Sequence, residues 1–167
     1  LAKVLGHELL GRLRAAEDKI TAKVQGTAAY QAELWEEDGE LALMRRAITA
    51  TPAAHAAAAA AVKPGVEENW LASLIDVEFK RHGALRPAFA SIVGSGENST
   101  ILHYPNHSKP VAAGSLVVVD IGADIGGYAA DVTRTYPADG VFSSEAKLVY
   151  EAVLRAQEAA LVLVKPG

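Results

Sequence analysis

The amino-acid sequence predicts an α+β fold, in which helices come first, short antiparallel strands follow and a helix closes the chain. Apolar residues recur at helical spacing before about residue 82 and again from about residue 144. Between about residues 88 and 135, short runs of β-type residues alternate with turns rich in glycine and proline. Helices followed by a block of strands are typical of α+β proteins, whereas α/β proteins alternate the two.

The composition excludes several classes of protein. The 167 residues are 50% hydrophobic and 22% charged, which is typical of a globular chain and not of a disordered one. A formal net charge of −4 argues against a nucleic-acid partner, and the absence of a long apolar run argues against a membrane partner. The chain has no cysteine, which suits a reducing compartment, so we expect a cytoplasmic protein.

Four helices are predicted, over residues 1–32, 40–62, 67–82 and 144–164. Pro52 lies inside the second, where we expect a kink or a break near Ala50. In the third, Glu67 and Glu68 suit the N-terminus because acidic side chains oppose the helix dipole. The chain begins at Leu1 instead of methionine and ends in Lys-Pro-Gly after a helix, so we expect it to be part of a longer polypeptide.

Strands are expected over residues 88–93, 100–103, 116–120 and 127–135, with a hairpin turn at Gly-Ser-Gly-Glu-Asn over residues 94–98. A phosphate-binding loop is a weak interpretation of that turn, because no helix opens after it and no lysine follows. His103 ends the second of these strands. Its local features favour a structural and a functional role equally. The histidines at positions 7, 55, 82 and 107 show no partner pattern, and we expect them on helix faces or at helix ends.

The hairpin over residues 115–137 carries the clearest functional signal. With the turn centred between Ile125 and Gly126, Asp120 lies opposite Asp131. Side chains so paired share a face, with Cβ atoms about 4.5–5.5 Å apart. Two carboxylates at that distance repel, so a divalent cation, a pair of cations or a shared proton is expected between them. The alternative is that one aspartate caps a strand end and a slip by one residue turns it to the other face.

The amino-acid sequence of several segments resembles that of aminopeptidase P. This enzyme belongs to the pita-bread metallopeptidase group, together with prolidase, creatinase and methionine aminopeptidase. The segments are ELALMRRA from residue 40, KPG from 63, IVGSGEN from 92, ILHY from 101, DIGA from 120 and GYAADVTRTYP from 127. The resemblance covers residues 40–167 and implies the first half of a pita-bread fold. Residues 1–35 are then a connector helix or the tail of an N-terminal domain, and residues 36–167 the first half of a catalytic domain.

The resemblance also implies a chemistry, namely hydrolysis of the N-terminal Xaa-Pro bond by a hydroxide that two divalent metal ions, usually manganese, activate. Asp120 and Asp131 would be metal ligands, with Asp131 bridging, and His103 would position substrate and handle protons. Thr133 is a plausible support for Asp131. A histidine and two glutamates of such sites belong to a second half of the catalytic domain, which this sequence lacks.

The partners implied are therefore a peptide with proline at its second position and the C-terminal half of the catalytic domain, in the same or a separate chain. We also expect a homo-oligomer. Two alternatives stay open at this point. The protein is a prolidase that acts on Xaa-Pro dipeptides, or it is a non-catalytic relative that uses the pita-bread fold as a binding module.

Overall fold

The computed structural model describes residues 38–167. The predicted helix over residues 1–32, and with it the connector interpretation of residues 1–35, lies outside the described residues. Residues 38–140 form one compact unit, and residues 141–167 belong to a second. Among the described helices, none combines the length and the apolar character that crossing a bilayer requires.

The helices confirm the predicted segments to within a few residues. They are α1 (Asp38–Ala61), α2 (Glu68–Arg81) and α3 (Ser144–Leu161). The expected break in α1 does not occur, since the helix is continuous across Pro52. A proline costs a helix one backbone hydrogen bond, and burial of the alanine face of α1 offsets this loss. Ala47, Ala50, Ala54 and Ala58 are all fully buried on that face.

The strands form two antiparallel sheets of three. One has the order β2-β3-β6, with β2 at Ile92–Ser95, β3 at Leu116–Ile121 and β6 at Val132–Pro137. The other has the order β1-β4-β5, with β1 at Arg86–Pro87, β4 at Ala123–Ile125 and β5 at Tyr128–Ala129. Helices α1 and α2 pack against each other and against these sheets. The core lies between them, and its largest fully buried apolar residues are Leu71, Ile75, Phe79, Val93, Val111, Val117, Val119 and Ile121.

Three of the predicted local structures are wrong. In the strand predicted over residues 88–93, residues 88–91 lie outside the strands and only the end belongs to β2. Residues 94–98 do not form a hairpin turn, because β2 pairs with β3 and the chain after β2 enters a 3-10 helix at Gly96–Thr100. Residues 100–103 are not a strand and end in a turn. The β-type residues of this segment find no partner strand, since Ile101 and Leu102 are exposed. Side-chain hydrogen bonds hold the segment instead, as described below.

The predicted hairpin register is wrong by two residues. Asp120 pairs with Thr133 and not with Asp131, and Ile125 pairs with Tyr128 across the turn. The central residues of the turn are therefore Gly126 and Gly127, with φ of 66° and 89°. A two-residue turn with both φ positive suits a glycine pair and excludes the branched Ile125. Because side chains alternate with a period of two, the shift leaves Asp120 and Asp131 on the same face, as diagonal neighbours.

Candidate active site

Asp120 lies near the end of β3, where the two sheets meet. Its side chain is half-buried, and its Oδ1 atom is shielded from solvent without a hydrogen-bond partner among the described residues. An ionised carboxylate oxygen that is buried and unpaired is costly, since several kcal/mol of solvation are lost, on the order of 1–3 kcal/mol even for a neutral group. The geometry therefore indicates that a positive group belongs beside this oxygen.

Asp131 lies in the short link between β5 and β6, on the same face as Asp120. Loss of solvent around the carboxyl raises its pKa, and the nearby Asp120 carboxyl raises it further. A raised carboxyl pKa means that the two groups resist being ionised together. A cation between them would reverse this effect, and carboxylate oxygens are the ligands that hard divalent metals prefer.

Gly122 allows the backbone after Asp120 to approach the backbone of Ala130, the residue before Asp131, closely. A Cβ atom added at this position would lie 1.7 Å from Ala130 O and 3.0 Å from Phe89 Cε1. The backbone on either side is held by hydrogen bonds, from Ala88 N to Gly122 O at 2.8 Å and from Ala130 N to Ala123 O at 3.0 Å. A glycine is therefore required at position 122 for this close approach of the two backbones.

A cavity of about 320 Å³ opens over the aspartates. Its lining brings together all three predicted site residues, and the lining consists of Phe89, Ala90, Ile92, His103, Tyr104, Pro105, Asp120 and Asp131. In the described part of the chain, no group of three or more acidic, histidine or cysteine side chains could hold a metal ion. Two carboxylates fit part of a cation site, and further ligands must come from elsewhere. Thr133, the predicted support, pairs with Asp120 and is exposed.

His103 occupies an unusual backbone conformation. Its φ is 53°, and His107, four residues later, has a φ of 41°. Left-handed backbone costs a residue with a side chain on the order of 1–2 kcal/mol, and it persists only where surrounding contacts impose it. The His103 side chain is exposed, lines the cavity and makes no hydrogen bond with the described residues. His107 Nε2 accepts a hydrogen bond from Val93 N at 3.3 Å.

Glu68 is a buried carboxylate that sequence reasoning assigned only to a helix N-terminus. It is fully buried, although the adjacent Glu67 is exposed. Hydrogen bonds reach it from Ser95 N and Oγ, Asn98 Nδ2, Tyr104 OH and Lys109 N. Helical spacing contained the signal, because positions 68, 71, 75 and 79 form one stripe and the last three are core residues.

The charge of Glu68 is stabilised by its partners. Burial by itself raises the pKa of this carboxyl, but the hydrogen bonds from Ser95, Asn98 and Lys109 outweigh burial and lower the pKa below its usual value. Hydrogen bonds donated to an ionised carboxylate favour the charged form. Glu68 is therefore an anion that is neutralised by donors and not by a cation.

His55 is a second buried polar group. It lies on a helix, as expected, but its burial and its hydrogen-bond partners were not predicted. It is 4% exposed on α1 and lies beside strand β6. In the neutral ring, Nε2–H donates to Val132 O at 2.9 Å, which leaves Nδ1 to accept from the Tyr136 hydroxyl at 3.0 Å. Burial lowers the pKa of His55 to about 4. The ring is thus a neutral bridge between α1 and the strand that follows Asp131.

Comparison with known proteins decides the family. A profile of metallopeptidase family M24 matches residues 42–167. The chain belongs to metallopeptidase family M24. This M24 chain spans less than two fifths of the length of the curated relatives described below.

Three relatives show the range of similarity. Xaa-Pro aminopeptidase of Escherichia coli strain K12 is 41% identical over 171 residues, which cover 99% of this chain and 39% of that protein. The human Xaa-Pro dipeptidase is 34% identical over 142 residues, which cover 82% of this chain and 29% of that protein. A solved structure of a variant E. coli aminopeptidase P in complex with substrate is 40% identical, with a TM-score of 0.76 over 84% of this chain and 32% of that one.

These comparisons confirm the predicted fold class and the resemblance to aminopeptidase P. Membership of M24 implies a metallopeptidase that uses divalent metal ions. The assignments of Asp120, Asp131 and His103 stay predictions from the resemblance, and so do the number and identity of the metals. The division into residues 1–35 and 36–167 also stays a prediction.

Proposed function

We propose that the full-length protein removes an N-terminal residue that precedes proline, with Asp120 and Asp131 as part of a two-metal centre. One observation carries this proposal. The two carboxylates lie diagonally on one face, with a buried, unpaired oxygen on Asp120, in the same cavity as His103. Membership of M24 and 41% identity to the E. coli Xaa-Pro aminopeptidase support the proposal.

In this proposal Asp120 and Asp131 hold the divalent cations, and manganese is the metal that the resemblance implies. When bound, such ions polarise a peptide carbonyl and make water a nucleophile at neutral pH. The missing ligands, a histidine and two glutamates, come from the C-terminal half of the catalytic domain. Asp120 raises the pKa of Asp131, and bound cations would favour the ionised form of both carboxyls.

His103 positions the substrate and handles protons. Its ring lines the cavity without a hydrogen bond to the described residues, so it is free to contact a bound peptide. Phe89, Ile92 and Pro105 give the cavity an apolar wall. An Xaa-Pro bond is a tertiary amide without an N–H group, so recognition depends on shape and on groups that contact the carbonyl. The further expectations, a homo-oligomer and a cytoplasmic location, belong to this proposal.

The test uses the full-length protein with manganese. We expect it to cleave the tripeptide Ala-Pro-Ala, and Asp120→Asn to lose at least about 100-fold in kcat together with bound metal. The matched control is Asp139→Asn, since Asp139 is exposed and accepts one hydrogen bond from Gly114 N, which an asparagine oxygen also accepts. The control should retain activity and metal.

Two results would redirect the conclusion. Cleavage of the dipeptide Ala-Pro but not of the tripeptide would establish prolidase activity, the second candidate, which the 34% identity to human Xaa-Pro dipeptidase favours. If the wild type carries no metal and the Asp120→Asn variant behaves like the wild type, the metallopeptidase proposal is excluded and a binding module is favoured.

A further inference from the structure

We propose that Glu68 is a positioning residue, which fixes the segment over residues 95–109 and through Tyr104 holds His103 at the cavity. Glu68 itself does not line the cavity, and its side chain lies beneath the segment that does. The part of this inference that concerns turnover rests on the proposed function. The part that concerns the position of the segment stands on the geometry alone.

Few side chains of the segment are buried. Between residues 96 and 110, the buried residues are Asn98 and Tyr104, and the others are half-buried or exposed. Both buried residues donate hydrogen bonds to Glu68, Asn98 Nδ2 at 3.1 Å to Oε1 and Tyr104 OH at 3.0 Å to Oε2. The Glu68 carboxylate therefore replaces the hydrophobic anchor that a segment of this length normally requires.

Glu68 also fastens both ends of the segment. At one end, Ser95 N and Ser95 Oγ each donate to Oε1 at 2.7 Å. At the other, Lys109 N donates to Oε2 at 3.3 Å, and the backbone of Glu68 donates to Lys109 O at 3.2 Å. One side chain thus closes the segment into a loop whose ends cannot separate without breaking hydrogen bonds to a buried charge.

Tyr104 transmits this constraint to His103, its neighbour in the chain. The Tyr104 hydroxyl donates to Glu68 and accepts from Asn98 Nδ2 at 2.9 Å and from Ser108 N at 3.1 Å. With the ring 3% exposed and its hydroxyl saturated, Tyr104 has little freedom to move. His103 is then held in a left-handed conformation that the free chain would leave, because a histidine gains nothing locally from a φ of 53°.

The chemistry of the site requires a carboxylate. Every group that contacts the Glu68 oxygens is a donor, and glutamine would present an NH₂ group to some of them. Glu68→Gln therefore preserves size and removes the acceptor at one oxygen. Glu67→Gln is the matched control, since Glu67 is the preceding residue, is exposed and makes no side-chain hydrogen bond with the described residues.

The first measurement is amide hydrogen exchange on the full-length protein, which needs no activity. In Glu68→Gln, we expect exchange across residues 95–109 to accelerate at least about ten-fold, with strands β3 and β6 unchanged. Glu67→Gln should match the wild type. Unchanged exchange in Glu68→Gln would overturn the positioning role, whatever the protein catalyses. If Glu68→Gln does not fold, Tyr104→Phe removes one hydroxyl from the same network and should accelerate exchange at Ser108.

The second measurement is a double-mutant cycle on Xaa-Pro cleavage. Glu68→Gln should lower kcat/KM about ten-fold or more in the wild type but less than about two-fold in a His103→Ala background, because its effect passes through His103. An equal loss in both backgrounds would refute action through His103 and leave Glu68 a general stabiliser. A wild-type protein without Xaa-Pro activity would refute the proposed function, while the exchange result would still decide whether Glu68 positions the segment.

Discussion

Replacing Gly122 by alanine tests the proposed site at its tightest backbone contact. The added Cβ would lie 1.7 Å from Ala130 O and 2.7 Å from Ala130 C, whereas ordinary contacts begin at 3.4 Å. Both atoms belong to backbone, so no side chain can rotate away. One of the two strands must therefore move by roughly 1.7 Å, the distance by which the contact falls short.

The expected magnitude follows from what that movement breaks. Ala130 N donates to Ala123 O, and Ala88 N donates to Gly122 O, in a largely buried region. A buried backbone group left unpaired costs about 1–3 kcal/mol, so the free energy of unfolding should fall by about 2–6 kcal/mol. Ala130 directly precedes Asp131, and a misplacement of about 1 Å at a catalytic site costs on the order of 100-fold in rate.

The assay compares the full-length wild type with Gly122→Ala in thermal unfolding, metal content and Xaa-Pro turnover. We expect a lower melting temperature, weaker metal retention and a loss in kcat/KM of at least about 100-fold. The control is Gly39→Ala, because Gly39 lies in α1 with no atom within 4 Å of an added Cβ. Alanine has the higher helix propensity, so this variant should be at least as stable as the wild type.

A Gly122→Ala variant with the melting temperature and the metal content of the wild type would refute this prediction. That outcome would mean that the backbones of Gly122 and Ala130 lie further apart than the 1.7 Å between an added Cβ and Ala130 O implies. A fall in stability without a loss of metal would contradict the narrower claim that this backbone contact sets the position of Asp131.

Two further predictions concern the contacts of α1. Thr51 is fully buried, and its Oγ1 accepts from Ala123 N at 3.0 Å, so Thr51→Val should cost about 1–3 kcal/mol in denaturant unfolding by leaving that N–H unpaired. Thr49→Val removes only the hydrogen bond from the exposed Thr49 hydroxyl to Arg45 O and should cost less than about 0.5 kcal/mol. Equal costs for Thr51→Val and Thr49→Val would refute the role given to the Thr51 hydroxyl. The pKa of His55 is about 4 in the folded chain and 6.5 in the unfolded chain, so the unfolded chain takes up the proton first as the pH falls. The contribution of the neutral ring to stability is therefore complete above pH 6.5 and is lost progressively as the pH falls toward 4. Between pH 7 and pH 5 the unfolding free energy should fall by about 2 kcal/mol more in the wild type than in His55→Gln, and parallel pH profiles would contradict this.

The hairpin shows how far local reasoning reaches. Alternation predicts that Asp120 and Asp131 share a face, and this holds although the register was wrong by two residues. The error came from the turn, since a pair of positive φ angles at Gly126 and Gly127 places the bend one residue later. A slip by two residues preserves the face, which is why Asp120 and Asp131 remain neighbours although the predicted register is wrong.

The loop that carries His103 shows where local reasoning fails. Its β-type residues predicted a strand, but Ile101 and Leu102 have no partner strand and are exposed. The conformation depends on Glu68, which is about 35 residues away in the chain and whose role no short window reveals. A carboxylate on the apolar stripe of a helix was the available signal, and it is weak, because such a residue is as often an exposed helix-capping charge.

What the sequence determined by itself is local or repetitive, namely the three described helices, the hairpin and the pair of aspartates on one face. Hydrophobic periodicity and turn chemistry act over a few residues, so both can be recognised in the sequence alone. The tertiary structure alone decided the burial of Glu68 and His55 and the left-handed backbone of His103. Each of these depends on which distant groups supply hydrogen bonds to a buried polar atom, and only the packing of helices against sheets determines those partners.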